Sequence, residues 1–306
     1  MTTAFVLSGG GSLGAVQVGM LRALSARGIH PDVLIGTSVG ALNAAYVAGN
    51  GDSLESLNQL AAIWLKLRRR DVFPLLPHRL LAAAAGLSES LCSENSLRRL
   101  IASHIKFDRL EDAQISLHVV ATDVASGKEI LLSEGNAVDA ILASSAIPAV
   151  FPSIQVDGLD LVDGGIADNA AISQAIDMGA DTIYVLPTGY ACALEAPPRT
   201  ALASAVHALT LMIEQRLILD VARYSEDADI RVVPPLCPLS VSSSDFSQAH
   251  RLFIDARAST ARWLVSSEVQ SKHPDRVLSL HSHQTLMGAI DAHTHPHSGA
   301  VPISSD

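Results

Sequence analysis

The sequence predicts an α/β fold built on a largely parallel sheet flanked by helices. Three observations predict it. Short apolar runs alternate with longer stretches of helical periodicity. Two of the earliest runs each end in a glycine-rich turn that opens a helix: Gly9-Gly10-Gly11-Ser12-Leu13-Gly14 after residues 4–7, and Gly36-Thr37-Ser38-Val39-Gly40 after residues 33–35. The 306 residues are 48% hydrophobic and only 17% charged, which supplies a sizeable core and argues against global disorder.

The elements follow in order. Residues 5–8 form the first strand. Residues 14–27 read as a helix, with Val16, Met20, Leu21 and Leu24 on one face and Gly28 as its stop. Residues 32–35 are the second strand, and 39–48 a helix whose small side chains suit close packing on a sheet. Residues 53–110 read as mostly helical, broken at Pro74 and Pro77. Within them, 75–87 is unusually apolar and reads as a buried helix or as the lid or wall of an acyl site. Arg68-Arg69-Arg70 reads as a solvated helix end, with lipid headgroups as the alternative contact.

Residues 115–122 form a buried strand, and 128–132 return beside it after Ser126-Gly127. Residues 138–145 form a helix that stops before Pro148. The stretches 153–156 and 159–162 alternate around Asp157-Gly158, the pattern of a hairpin. Residues 182–186 are a strand, 200–224 a long helix, 230–233 a strand and 247–271 a last helix. From Lys272 the periodicity ends, and His281, His283, His293, His295 and His297 sit among small polar residues. The expected organisation is one folded unit over 1–271 and a disordered His-rich tail over 272–306. No internal repeat is visible.

Charge and cysteine content narrow the function classes. The formal net charge is −10, from 21 basic and 31 acidic residues. Phosphate backbones need a basic face, so a nucleic-acid partner is not expected. Anionic lipid surfaces are disfavoured on the same ground unless a local patch overrides the total. Cys92, Cys192 and Cys237 are far apart and match no metal spacing, which reads as reduced, structural thiols. The first strand begins beside the initial methionine, leaving no room for a secretory signal. No window reaches the length of a transmembrane span; Glu214, Arg216 and Asp220 interrupt one apolar stretch. A cytoplasmic chain without metal or cofactor is therefore the expectation.

The chemistry starts at Ser38. Gly36-x-Ser38-x-Gly40 between a strand and a helix is a nucleophile elbow, which presents a serine hydroxyl at a sheet edge. A β-carbon at either flanking glycine is expected to clash. The Gly9, Gly10 and Gly11 loop, with Gly14 behind it, supplies backbone N–H groups at a helix start, where an oxyanion is stabilised. A serine also needs a base. Asp163 is the leading candidate, at a strand end before Gly164 and Gly165; Asp157, Asp160 and Asp168 are weaker competitors.

Together these residues resemble the patatin-like phospholipase family, in its small bacterial type, over residues 4 to about 235. Gly9–Gly14 resembles the family's oxyanion loop and Gly36–Gly40 its elbow. Ala143-Ser144-Ser145-Ala146-Ile147-Pro148 resembles its Ala-Ser-x-x-x-Pro segment, and Asp163-Gly164-Gly165 its acid box. The resemblance implies a three-layer fold and a serine hydrolase of lipid esters, phospholipid or lysophospholipid, with transient membrane-surface contact admitted. It implies that Ser38 is the nucleophile and Asp163 its only partner. One position departs: the family's loop often carries Arg or Lys where this chain has Leu13, so recognition of an anionic group beside the oxyanion loop is expected to be weak.

Three other readings fit worse. Gly9-x-Gly11-x-x-Gly14 also matches a dinucleotide fingerprint, but that wants an acid at the end of the second strand, where Ile35-Gly36-Thr37-Ser38 stands. An α/β-hydrolase triad of Ser38, Asp163 and His207 or His250 has the right chain order, but its elbow follows a later strand. A non-catalytic lipid-binding module leaves the paired Ser38 and Asp163 unexplained.

Overall fold

The computed structural model describes residues 1–74, 90–189, 201–237, 239, 241–270 and 278. The strands are β1 (Thr3–Leu7), β2 (Val33–Thr37), β3 (Ser116–Asp123), β4 (Glu129–Leu132), β5 (Ile154–Val156), β6 (Leu159–Asp163), β7 (Thr182–Leu186) and β8 (Asp229–Val232). The helices are α1 (Gly14–Ser25), α2 (Val39–Asn50), α3 (Leu54–Lys66), α4 (Arg69–Val72), α5 (Asn95–Ala102), α6 (Ala137–Ser144), α7 (Ile172–Asp177), α8 (Ala201–Tyr224) and α9 (Ala249–Trp263).

The eight strands among the described residues join one sheet. Its spine is β5-β6-β3-β2-β1-β7-β8, with β4 also on β3. The run β3-β2-β1-β7-β8 is parallel; β4, β5 and β6 form an antiparallel end. The expected largely parallel sheet is thus present. Side-chain alternation along β1 makes the layers. Phe5 and Leu7 enter a core with α1, α2, α3 and α9, while Ala4 and Val6 enter a second core with α7 and α8. Both faces of a mostly parallel sheet are covered, giving three layers.

Most expected elements are found within a few residues. Asp157 and Gly158 both have positive φ, 50° and 81°, as a tight hairpin turn of this kind requires. Three differences are informative. The short helix α7 lacks the length that makes periodicity visible. The expected helix over 247–271 ends at Trp263, and a 3₁₀ turn, Ser267–Gln270, follows. Leu278, inside the expected tail, is 1% exposed and buried in the second core with Ala4, Val6 and Ile230. The apolar stretch 75–87, Cys192 and most of the His-rich segment lie outside the described residues. Among the described residues, no helix is long and apolar enough to cross a membrane, and no group of His, Cys, Asp and Glu is placed to hold a metal ion.

The sheet register is what builds the site. Val119 and Val120 of β3 pair with β2 and with β4, so those two strands lie on opposite edges of β3. Ala121 and Thr122 pair with β4 and with β6, so β6 takes the same edge as β2. β2 runs parallel to β3 and β6 antiparallel. Their carboxyl ends therefore meet head to head, Thr37 opposite Val120 and Asp163 opposite Ala121.

Candidate functional site

Ser38 follows directly from the end of β2 and caps α2. Its φ is 54° and ψ −123°, a conformation rare for a residue with a side chain. The neighbouring glycines make that turn sterically allowed. A β-carbon on Gly36 would lie 2.5 Å from the Ala41 α-carbon, and one on Gly40 2.1 Å from the Leu7 carbonyl oxygen. The Ser38 amide donates to Ser144 Oγ at 2.8 Å, which ties the elbow to the end of α6.

Ser38 Oγ donates to Asp163 Oδ2 at 2.7 Å. The other carboxylate oxygen, Oδ1, accepts the Gly165 amide at 2.9 Å. The Asp163 backbone is fixed as well: its amide donates to the Ala146 carbonyl, and its carbonyl accepts from Thr122 Oγ1. Gly164 passes so close to β3 that a β-carbon there would meet the Val120 carbonyl oxygen at 2.2 Å. Burial raises the Asp163 carboxyl from 3.8 to about 6, and the hydrogen bonds from Ser38 and Gly165 offset only part of the rise. A carboxylate poised there is suited to take and return a proton near neutrality.

The glycine loop lies against this pair. The Gly9 amide, expected among the oxyanion donors, is engaged: it donates to Asn169 Oδ1 at 2.9 Å. The Gly10 and Gly11 amides, the donors expected first within that loop, have no intramolecular acceptor among the described residues. Gly10 and Gly11 have positive φ, 154° and 60°, and a β-carbon on either would strike Thr188 or Ser243. Gly14 is packed under Val39 and Trp64. Asn169 has no sequence signal of its own; only the fold brings it to a loop 160 residues earlier.

Ser38 and Gly11 line one cavity of about 780 Å³, measured with its open mouth. α2 forms its floor through Val39, Leu42, Asn43 and Tyr46, spaced as one helix face. At 1.5 Å per residue, Ser38 and Tyr46 stand about 12 Å apart along it. The walls come from α3, α4 and α5, closed by the aromatic group of Trp64, Phe73, Phe151 and Phe246. Asn43 has its polar atoms engaged by Gly14, Gln17 and Trp64, and the lining is mostly apolar, with Tyr46, His104 and Ser145 as its further polar side chains besides Ser38. Such a shape takes an alkyl chain rather than a sugar or nucleotide.

The other expected residues fall elsewhere. Asp157 and Asp160 are exposed on the hairpin. Asp168 is buried, raised to about 6 by burial and by nearby Glu129, and faces Arg216 rather than Ser38. His250 is exposed on α9, and the His207 side chain lies outside the described residues. Among the described residues, no histidine hydrogen-bonds to Ser38 or Asp163. Leu13 does not line the cavity; it packs beside Leu239 and Gly189.

A model of the patatin-like phospholipases matches residues 5–176, which span both glycine turns, Ser38, Ser144 and Asp163. The chain belongs to the patatin-like phospholipase family. Its relatives within or near that family include the lysophospholipase nte1 of Aspergillus terreus, 27% identical over 185 residues, covering 60% of this chain and 12% of the relative. An uncharacterized NTE family protein of Mycobacterium tuberculosis H37Rv is 32% identical over 189 residues, covering 61% of this chain and 49% of the relative. The chain thus matches less than half the length of either. Among solved structures it is similar to VipD from Legionella pneumophila, at 15% identity and a TM-score of 0.46, covering 86% of this chain and 66% of that one. The patatin-like match ends at residue 176, so β7, β8, α8 and α9 lie beyond it.

Proposed function

We propose that this chain is a serine acyl hydrolase that cleaves a lipid carboxylic ester, phospholipid or lysophospholipid, through a Ser38–Asp163 dyad. The observation that carries the reading is the 2.7 Å hydrogen bond from Ser38 Oγ to Asp163 at the wall of an apolar cavity. Family membership supports lipid ester hydrolysis, and the relatives named as lysophospholipases favour a substrate of that class.

Asp163 Oδ2 takes the Ser38 proton as Oγ attacks the ester carbonyl carbon. The tetrahedral oxyanion is held by the Gly10 and Gly11 amides, each such donor being worth about 2.7–4 kcal/mol. The carbon–oxygen bond to the alcohol breaks, and Asp163 returns the proton to the leaving oxygen. The acyl chain remains on Ser38 in the cavity. Asp163 then takes a proton from water, the hydroxide attacks the acyl-enzyme, and the fatty acid departs as Ser38 regains its proton.

The test is covalent labelling with a fluorophosphonate, followed by a lipid-class panel. Labelling is expected at Ser38 alone and lost in Ser38→Ala with an unchanged circular dichroism spectrum. A folded Ser38→Ala protein that still hydrolysed short p-nitrophenyl esters would refute the assignment. Lipid binding without labelling or turnover would make the chain a binding module.

A further inference from the structure

The chain is acidic, yet one short stretch reverses the sign. Lys66, Arg68, Arg69 and Arg70 stand within five residues of a molecule whose net charge is −10, and all four are exposed. The Arg68 guanidinium turns back onto the Leu65 and Leu67 carbonyls. Lys66, Arg69 and Arg70 are left as outward charges. Asp71 is the neighbouring carboxylate; it accepts the Arg68 amide at 2.8 Å and lies 4.0 Å from Arg70 Nε. α5, which packs on α4, contributes Arg99, also exposed, while its Arg98 is paired with Asp139.

The location separates this cluster from an ordinary solvated helix end. Leu67, Val72 and Phe73 of the same stretch line the cavity that holds Ser38. Leu65, next to Lys66 in the chain, is 42% exposed. Outward cations, an exposed leucine beside them and an apolar chamber behind are what an interfacial segment presents to a bilayer. The cations meet anionic headgroups, and the apolar edge meets the acyl boundary.

We propose that the segment Lys66–Arg70 is a docking surface for an anionic lipid bilayer. It sets the α3–α4 wall of the cavity against the surface from which an acyl chain would enter. That orientation rests on the acyl-hydrolase reading; the docking itself does not.

The experiment is co-sedimentation of the full chain carrying Ser38→Ala, which leaves the vesicles intact. One set is phosphatidylcholine; the other contains roughly 30 mol% phosphatidylserine, the kind of surface that draws basic segments. Binding to the anionic set alone, weakening as salt rises, is expected. Arg69→Glu with Arg70→Glu is expected to reduce it by at least about 25-fold, because each basic residue near such a surface contributes roughly fivefold and the introduced carboxylates are repelled. Arg69→Lys with Arg70→Lys should retain it. In the chain with Ser38 intact, the Glu pair should leave turnover of a soluble short-chain ester unchanged. Equal binding to both vesicle sets, no binding to either, or full binding by a Glu variant of unaltered melting temperature would overturn the proposal. If the Glu pair fails to fold, Lys66→Glu replaces it, with a loss of several-fold expected and undiminished binding overturning the proposal. Absence of soluble-ester turnover in the parent chain would count against the hydrolase reading and not against docking.

Discussion

Asn169 Oδ1 accepts the Gly9 amide at 2.9 Å, joining the loop that follows Asp163 to the glycine loop beside Ser38. Gly9 lies so near both that a β-carbon on it would sit 2.6 Å from Asn169 Oδ1 and 3.1 Å from the Ser38 β-carbon. The contact leaves Gly10 and Gly11 as the amides open to a ligand. It also holds Gly9 against Ser38.

Asn169→Ala is therefore expected to lower kcat by about 10- to 100-fold, the scale of a small misplacement, with little change in KM. Asn169→Asp keeps an acceptor for Gly9 but adds a negative charge close to Asp163. It should recover part of kcat and shift the acidic limb of the pH profile upward. Steady-state kinetics across pH distinguish this from simple loss of fold. Indistinguishable pH profiles for the Asp variant and the parent would remove Asn169 from the site.

Asp163 gives a pH prediction of its own. In the proposed dyad the base is the ionised form, so kcat/KM should rise with pH through about 6. Stability runs the other way. The folded carboxyl is raised above 3.8, so its contribution is fully present below that value and lost as pH rises through about 6. The difference amounts to about 3 kcal/mol for the ionised form. Asp163→Asn should lose about 10²- to 10⁴-fold in turnover and gain melting temperature at pH 8 relative to pH 4. Calorimetry at the two pH values checks the sign. Asp168, also raised to about 6 by burial, adds to the same trend.

Leu278 predicts where the folded unit ends. Buried in the second core, it should cost about 2–5 kcal/mol when changed to Ala. A chain ending at Gln270 should melt well below the full chain, while one ending after His283 should match it. Equal melting temperatures for the two truncations would show that Leu278 contributes nothing.

Leu13 was singled out in the sequence as a specificity position, yet its side chain packs beside Leu239 and not in the cavity. Leu13→Arg is accordingly expected to leave the ratio of kcat/KM for neutral and phosphate-bearing esters within about twofold and to reduce stability through lost packing. A large shift toward the phosphate-bearing ester would place the side chain at the substrate.

Local features were the legible ones. The elbow, the Asp-Gly hairpin and the alternation of strands and helices each depend on a few adjacent residues whose sterics write themselves into the sequence. The meeting of Ser38 with Asp163 does not, because 125 residues separate them and only the register of β3 brings them together. Four quoted motifs in order pointed to the family, and through it to the pair. Asn169 and Ser144 were invisible as contacts, since a single amide or hydroxyl carries no periodicity. Leu278 was missed because one buried leucine in a polar stretch leaves no pattern to read.

Thr37 and Asp163 occupy successive rungs on the same edge of β3, so no hinge separates the serine from the acid. Heat or denaturant should part them only when the sheet itself melts. The cavity walls are different, being helices outside the sheet that join the site through side-chain packing. On gradual warming, preference among acyl-chain lengths should blur first, while cleavage of the shortest esters persists until the sheet melts.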